Sequence, residues 1–279
     1  MMRIRKKLMT VLAHAFLVLC LLVSVVPAFM LLAVSFKPTA IFISPPEILS
    51  LEGFGLGNYA RAFQLGDFAH HLRNSLFIAV SATALTLAVC TTMAFGLSKL
   101  SPRVRSALTF LILSTRFVPY VVLALPFFLF FLTLGISGTR PGLLLAHLAM
   151  QVPFAVWLLV EFFDGVPREI EEAAIVDGCS PLRVYWNVSL PIVISGVSAC
   201  AILVFILSWN EYLFAVFISG YQAQPLTVGI TRFLGAMDTG TQYGVIAAYG
   251  SLIVLPVIAL TLVLNRFIVS GLTAGAVKG

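Results

Sequence analysis

The sequence predicts an all-α protein that crosses a membrane several times. Of its 279 residues, 60% are hydrophobic and only 10% are charged, whereas an ordinary soluble domain has about 45–50% apolar and about 25% charged residues. The hydrophobic residues gather in stretches of about 20 residues or more, the length that a helix needs to cross a bilayer. The period-two alternation of transmembrane strands is missing. This composition excludes a soluble globular enzyme, a disordered chain and a disulfide-rich secreted domain.

Six apolar stretches are long enough to be membrane-spanning helices. The first follows a basic amino terminus, as a signal peptide does, but its apolar run is too long for a cleavable signal, so we expect an uncleaved helix. Pro119 and Pro126 predict a kink in the third stretch. The six stretches are, approximately, Leu8–Phe36, Leu72–Leu97, Ala107–Leu134, Leu143–Phe163, Pro191–Ile218 and Tyr243–Phe267.

The distribution of positive charge predicts that both termini are cytoplasmic. Most of the 17 lysines and arginines fall in segments that are cytoplasmic if the amino terminus is, as the positive-inside rule requires. The net charge of +6 is then a consequence of topology, and we expect no nucleic-acid partner. We interpret the chain as a single transmembrane domain, with a cytoplasmic amino terminus (1–7), a first outer loop (37–71), a cytoplasmic loop between spans four and five (164–190) and a cytoplasmic tail (268–279).

The loop at 164–190 is the most charged part of the chain and predicts a helix–turn–helix. Pro167 suits a first helical turn, and the glutamates that follow it lie near the positive end of the helix dipole. Gly178 is a typical helix terminator, and Ser180 followed by Pro181 is a typical start of a second helix. Because two adjacent alanines have small side chains, another protein could approach the backbone of the first helix closely on this face. On this pattern alone, the hairpin is either a docking element or a solvated connection.

The same loop carries a longer motif. It is the run Glu172-Ala-Ala-x-x-Asp177-Gly178, followed after nine residues by Val188-x-Leu190-Pro191. This run resembles the EAA motif of the membrane subunits of binding-protein-dependent ABC importers. Cys179 and Val188 stand where alanine and isoleucine are common, and both differences conserve size and polarity. The resemblance favours the docking interpretation of the hairpin.

Further segments resemble the carbohydrate-importer branch of that family. The end of the chain, from Gly271 to Gly279, is similar to the tail of the second permease subunit of maltose-type importers. The other similar segments are Phe36-Lys-Pro38, Asn58-Tyr59, Thr115-Arg116-x-Val118-Pro119 and Trp209-Asn210-Glu211.

The resemblance implies a permease that works within an assembly in the cytoplasmic (inner) membrane of a prokaryote. The implied partners are a second, homologous permease subunit, two ABC ATPase subunits, an extracytoplasmic solute-binding protein and a sugar-like substrate. The chain has no GxxxxGK[ST] run, so we expect no bound cofactor here and expect ATP and Mg to be used by the ATPase. Because the sequence shows no metal-ligand spacing and no nucleophile–base constellation, we also expect no metal and no enzymatic activity. The residues expected to face the ATPase are Glu169, Glu172, Ala173, Ala174, Asp177, Gly178, Leu190 and Pro191 in the loop, with Gly271, Thr273, Gly275 and Lys278 in the tail.

Two polar features of the spans are candidates for the substrate pathway. Arg116 lies about ten residues, or roughly 15 Å, into the third stretch. An ionisable side chain at this depth in the membrane is costly. Arg116 therefore either lines the pathway, pairs with an acid or reaches towards the membrane surface. Trp209, Asn210, Glu211 and Tyr212 either meet a hydroxyl-rich solute or act as interfacial anchors. An ion-gradient-driven secondary transporter is the alternative function. It is expected to have repeated halves, broken helices at matching positions and midplane carboxylates; the sequence has no clear internal repeat and no Asp or Glu at the centre of a span.

Overall fold

The computed structural model describes residues 2–37, 53–65, 67–234 and 242–276, and within these ranges the chain is helical without any strand. The predicted all-α class is therefore confirmed. Short 3₁₀ segments occur at Thr115–Phe117, Tyr221–Ala223 and Ile230–Phe233, and a π-helical turn covers Tyr185–Ser189. The α-helices are α1 (Met2–Ser35), α2 (Gly57–Leu65), α3 (Phe68–Ser98), α4 (Pro102–Ser114), α5 (Tyr120–Thr133), α6 (Arg140–Asp164), α7 (Arg168–Val176), α8 (Pro181–Val184), α9 (Leu190–Ile192), α10 (Ile194–Trp209), α11 (Leu213–Ile218), α12 (Leu226–Gly229) and α13 (Tyr243–Ala276).

Four helices of the described ranges are long and apolar enough to cross a membrane by themselves. Two further pairs of helices meet the same test only together, because each pair is bent: Pro102–Phe117 with Tyr120–Thr133 by 88°, and Pro181–Ile192 with Ile194–Trp209 by 78°. These parts of the chain thus contain four candidate spans, or six if each bent pair crosses once. The four unbroken spans are Met9–Ser35, Phe68–Ser98, Arg140–Asp164 and Tyr243–Leu262.

The third predicted stretch is broken rather than only kinked. Its first helix and the following 3₁₀ turn end at Phe117, and Val118 is extended, with φ −73° and ψ 123°. A proline disfavours helical geometry in the residue before it, and Val118 precedes Pro119. The second half of the stretch then starts at Tyr120 in a new direction.

The fifth predicted stretch, Pro191–Ile218, is too long. Its main helix ends at Trp209, and α11 is a separate element. The reason is Glu211, whose carboxylate oxygens accept the backbone N–H groups of Phe214 (2.8 Å) and Ala215 (3.0 Å). A side chain that accepts these backbone N–H groups caps a new helix, and it thereby competes with the backbone hydrogen bonds that would continue α10.

The chain divides into two compact units, of which the first comprises Met1–Phe68 and Ile230–Leu255. Within it, Tyr59 Oη on α2 lies 2.8 Å from Ser35 Oγ on α1 and 3.0 Å from Ser251 Oγ on α13. This chain of hydroxyl groups ties the three helices together. Most of the apolar surface of α1 is exposed, as suits a helix that contacts lipid.

The second unit comprises Ala69–Gly229 and Pro256–Gly279. Its core lies between α3, α6 and α10, where Ala94, Ala155 and Cys200 are fully buried. Small side chains of this kind let membrane helices approach closely. Tyr185, from the π-helical turn, belongs to the same core, and its Oη lies 2.8 Å from Thr91 Oγ1 on α3. The segment that follows α8 is therefore anchored among the long helices.

The predicted tail is helical for most of its length. The last helix, α13, continues to Ala276, so that Gly271, Thr273 and Gly275 lie in its final turns. Lys278 lies outside the described residues.

Candidate functional site: the α7–α8 hairpin and a pocket at the helix breaks

The hairpin of α7 and α8 has the form that its glycine and prolines predict. Pro167 directly precedes α7. Gly178 has φ +84°, and the N–H groups of Gly178 and Cys179 donate to the carbonyls of Ile175 and Ala174, which is the Schellman arrangement of a helix end. Ser180 caps α8 by accepting the backbone N–H of Arg183 at 3.4 Å. Local sequence signals thus determine both helix ends.

We expect Gly178→Ala to destabilise the hairpin by about 1 kcal/mol, the usual cost of left-handed backbone for a residue with a Cβ. No atom lies within 4 Å of the added Cβ, so the backbone conformation alone sets this cost. Gly178→Asn is the matched control, since asparagine tolerates this conformation better. Thermal unfolding and proteolysis of the hairpin in detergent measure the effect. An alanine variant as stable as wild type, or an asparagine variant less stable than alanine, contradicts it.

One face of the hairpin is exposed and mixes acidic with apolar side chains. Val176 is 86% exposed, and Ile175 and Leu182 are also largely exposed, as is Trp186 in the π-helical turn that follows α8. A cluster of exposed large apolar side chains is typical of an interaction surface. Of the residues expected to face an ATPase, Ala174 is half-buried, Leu190 packs against the core, and the exposed ones are Glu169, Glu172, Ala173, Asp177, Gly178 and Pro191.

Glu171, which is not among the site residues predicted from the sequence, is only 6% exposed. Its carboxylate forms an ion pair with Lys99, at the end of α3, and accepts a hydrogen bond of 2.6 Å from Ser189 Oγ in the π-helical turn. Lys99 Nζ also lies 4.5 Å from the centre of the Phe95 ring. Glu171 therefore connects α7 to both a long helix and the segment leading into α10.

A simple geometric signal could have identified Glu171. Each residue turns a helix by about 100°, so Glu171 points about 160° away from Glu169. Three glutamates at 169, 171 and 172 cannot all face solvent when the helix rests on a core. The one opposite Glu169 must be buried with a partner, because an unpaired buried carboxylate is costly.

A second group of predicted residues meets in a pocket of about 400 Å³ within the second unit. The pocket lies where α4 gives way to α5 and α10 gives way to α11. Trp209 is not part of it, because this side chain is 2% exposed and stacks on Phe205 with ring centres 5.8 Å apart. The polar and aromatic side chains of the pocket wall are Arg116, Tyr120, Gln151, Asn210, Glu211 and Tyr212.

Arg116 lies in the 3₁₀ turn at the break between α4 and α5. Its Nε donates to Tyr120 Oη at 2.6 Å, and its guanidinium lies 5.7 Å and 5.3 Å from the ring centres of Tyr120 and Phe154. Among the described residues it forms no ion pair with an Asp or Glu. The acid-paired alternative for Arg116 thus has no support in these ranges.

Glu211 has a structural role that its sequence position did not indicate. Besides capping α11, its Oε2 lies 3.7 Å from Nε2 of the buried His147, and its backbone carbonyl accepts a 2.7 Å hydrogen bond from Thr227 Oγ1. His147 Nδ1 in turn lies 2.7 Å from Ser208 Oγ. Glu211 therefore fixes the break between α10 and α11, and the break shapes the pocket.

A match to a known protein family shows to which family the chain belongs. The model of the family "binding-protein-dependent transport system inner membrane component" matches residues 88–273. The chain belongs to this family. The match includes the whole hairpin and the pocket, and it confirms the resemblance drawn from the EAA motif. The protein is thus a multi-pass inner-membrane permease component, that is, part of a transporter rather than a catalytic enzyme.

Named relatives of this permease are subunits of sugar importers. It is 32% identical over 258 residues to the trehalose transport system permease protein SugB of Mycobacterium tuberculosis, covering 92% of this chain and 93% of that one. It is 29% identical over 267 residues to the trehalose/maltose transport system permease protein MalG of Thermococcus litoralis, covering 94% of each. The permease therefore belongs to the carbohydrate-uptake branch.

Solved structures share the fold of this permease. A chain of a bacterial ABC transporter involved in the import of the acidic polysaccharide alginate superposes with a TM-score of 0.77, at 23% identity, over 93% of this chain and 96% of that one. A second alginate transporter structure, determined with a pentasaccharide-bound periplasmic protein, gives 0.62 at 14% identity, over 76% and 82%.

Proposed function

We propose that this permease forms half of the translocation pathway of an ATP-driven importer for a carbohydrate or related polyol. A second homologous permease forms the other half, two ABC ATPase subunits supply the energy, and an extracytoplasmic solute-binding protein delivers the substrate. The observation that carries this proposal is the α7–α8 hairpin at the EAA position, which is exposed on one face and joined to the core on the other.

In this proposal each bent pair of helices crosses the membrane once, so the chain has six spans. An even number of crossings puts both termini on one side, and four crossings put the hairpin on that side as well. The positive-inside rule makes this side the cytoplasm. The hairpin, the amino terminus and the end of α13 are then all accessible to an ATPase.

Coupling in this account is mechanical. The exposed face of α7 docks in a groove of one ATPase subunit, with Glu172 making the charged contact. Closure of the ATPase dimer displaces α7, and the Glu171–Lys99 pair passes the displacement to α3. A rigid-body switch of this kind alternates the pathway between inward- and outward-facing states. In the same proposal the end of α13, with Gly271, Thr273 and Gly275, extends this contact, and so does Lys278, which lies outside the described residues.

Affinity purification of the tagged permease in mild detergent tests the assembly. We expect an ATPase, a second permease and a solute-binding protein to be recovered with it. Screening the recovered binding protein against sugars and polyols then identifies the substrate. A permease that is purified alone and still transports under an ion gradient contradicts the proposal.

A further inference from the structure

The pocket at the helix breaks contains polar groups with unused hydrogen-bonding capacity. Asn210 uses its Nδ2 to donate to the Ile206 carbonyl at 2.9 Å, which leaves Oδ1 as an acceptor. Gln151 Oε1 accepts from Thr86 Oγ1 at 3.4 Å, which leaves the amide N–H₂ as a donor. Tyr212 is 46% exposed and adds an aromatic face and a hydroxyl. An amide donor, an amide acceptor and an aromatic wall suit a hydroxylated ring.

Arg116 adds a positive charge to this pocket. Its Nε is engaged by Tyr120 Oη, and the aromatic rings of Tyr120 and Phe154 hold the guanidinium in place. A fixed, planar guanidinium with its Nη atoms available matches a carboxylate in a two-point contact. The side chain is thus positioned to bind rather than to move.

The charge of Glu211 does not neutralise Arg116. Both carboxylate oxygens accept backbone N–H groups at the start of α11, one of them also faces His147, and no ion pair with Arg116 is formed. Arg116 therefore lies near the middle of a bent span without an acid partner among the described residues. An unpaired charge at membrane depth is expensive, and an anionic ligand lowers that cost.

We propose that this pocket binds an acidic sugar, with the carboxylate of a hexuronate-type ring on Arg116 and its hydroxyl groups on Gln151 and Asn210. This inference rests on the proposed function, because it narrows the substrate from carbohydrates in general to those bearing a carboxylate. It assigns the selecting contact to this permease subunit rather than to the delivering protein alone.

The test compares D-glucuronate with D-glucose, which differ only in carrying a carboxylate or a hydroxymethyl group at C6. Saturation-transfer NMR titrations give the dissociation constant of each sugar for the purified permease–ATPase complex in nanodiscs. We expect glucuronate to bind about tenfold more tightly, which corresponds to about 1.4 kcal/mol, and the preference to shrink as salt is added. Arg116→Gln is expected to abolish the preference, and Arg116→Lys to keep part of it.

Arg103→Gln is the matched control, because it removes one positive charge from the exposed surface of α4, the helix that leads into the 3₁₀ turn of Arg116. We expect it to keep the full preference. Equal binding of the two sugars by wild type, binding of neither, or a preference that survives Arg116→Gln overturns the inference. Recovery of the ATPase with each variant distinguishes failure of the acidic-sugar site from failure of the proposed function. A complex that assembles but shows no preference for glucuronate refutes only the acidic-sugar site. A permease that is recovered without an ATPase refutes the proposed function.

Discussion

Glu172→Lys is expected to release the ATPase from the complex while the permease remains inserted in the membrane. Glu172 is exposed on α7 and forms no ion pair within the described residues, so the permease itself loses little. Losing a buried charged contact at an interface costs about 2–5 kcal/mol, and reversing the charge adds repulsion. The ATPase recovered with the tagged permease is expected to fall at least tenfold, while the permease in the membrane fraction stays unchanged.

Glu172→Gln provides the graded control for this prediction, because it removes the charge without reversing it. We expect its ATPase recovery to lie between those of wild type and Glu172→Lys. Normal assembly and transport by the lysine variant contradict the docking role of Glu172. Loss of the permease from the membrane fraction also contradicts it, since the effect would then be one of folding.

Glu171→Ala is expected to separate ATP hydrolysis from transport. The substitution removes the only acidic partner of Lys99 in the described ranges and frees Ser189 Oγ, so α7 loses its connection to α3. Because Lys99 is 40% exposed, we expect the stability cost to be modest, about 1–2 kcal/mol. The exposed face of α7 is unaltered, so the ATPase is expected to remain bound and to hydrolyse ATP while solute uptake falls at least tenfold.

A double-mutant cycle with Lys99→Ala isolates this connection. If the two side chains act as a pair, the double variant is expected to lose little more uptake than either single variant. Glu171→Gln retains an acceptor for Ser189 and is expected to have an intermediate effect. The proposed transmission through Glu171 is contradicted if the losses of uptake in the two single variants add up in the double variant. It is also contradicted if uptake falls only in proportion to the amount of bound ATPase.

Several features were predictable because their causes are local. Span positions follow from apolar run length, and the ends of α7 and α8 follow from Pro167, Gly178 and Ser180, whose preferences depend on a few neighbouring residues. The break before α5 was foreseen only as a kink, because Pro119 indicates a disturbance without fixing its angle, which is 88°.

Other features depend on contacts between residues distant in sequence. The break after α10 depends on how Glu211 is placed between the backbone of α11 and His147, and hydropathy does not distinguish this from a continuous span. Helix geometry marks Glu171 as buried, but its partner Lys99, 72 positions earlier in the chain, could be assigned only from the fold. Trp209 was misleading for the same reason, because its burial against Phe205 is a matter of packing and not of residue type.

Solute uptake by the reconstituted complex distinguishes ATP-driven import from transport driven by an ion gradient. The permease and the proteins recovered with it are placed in proteoliposomes with the binding protein and labelled solute on the outside. Uptake is measured with ATP inside, with a non-hydrolysable analogue inside, and with an ion gradient alone. We predict uptake with ATP only, and its loss in Glu172→Lys. Uptake driven by an ion gradient without ATP, undiminished in that variant, contradicts the account.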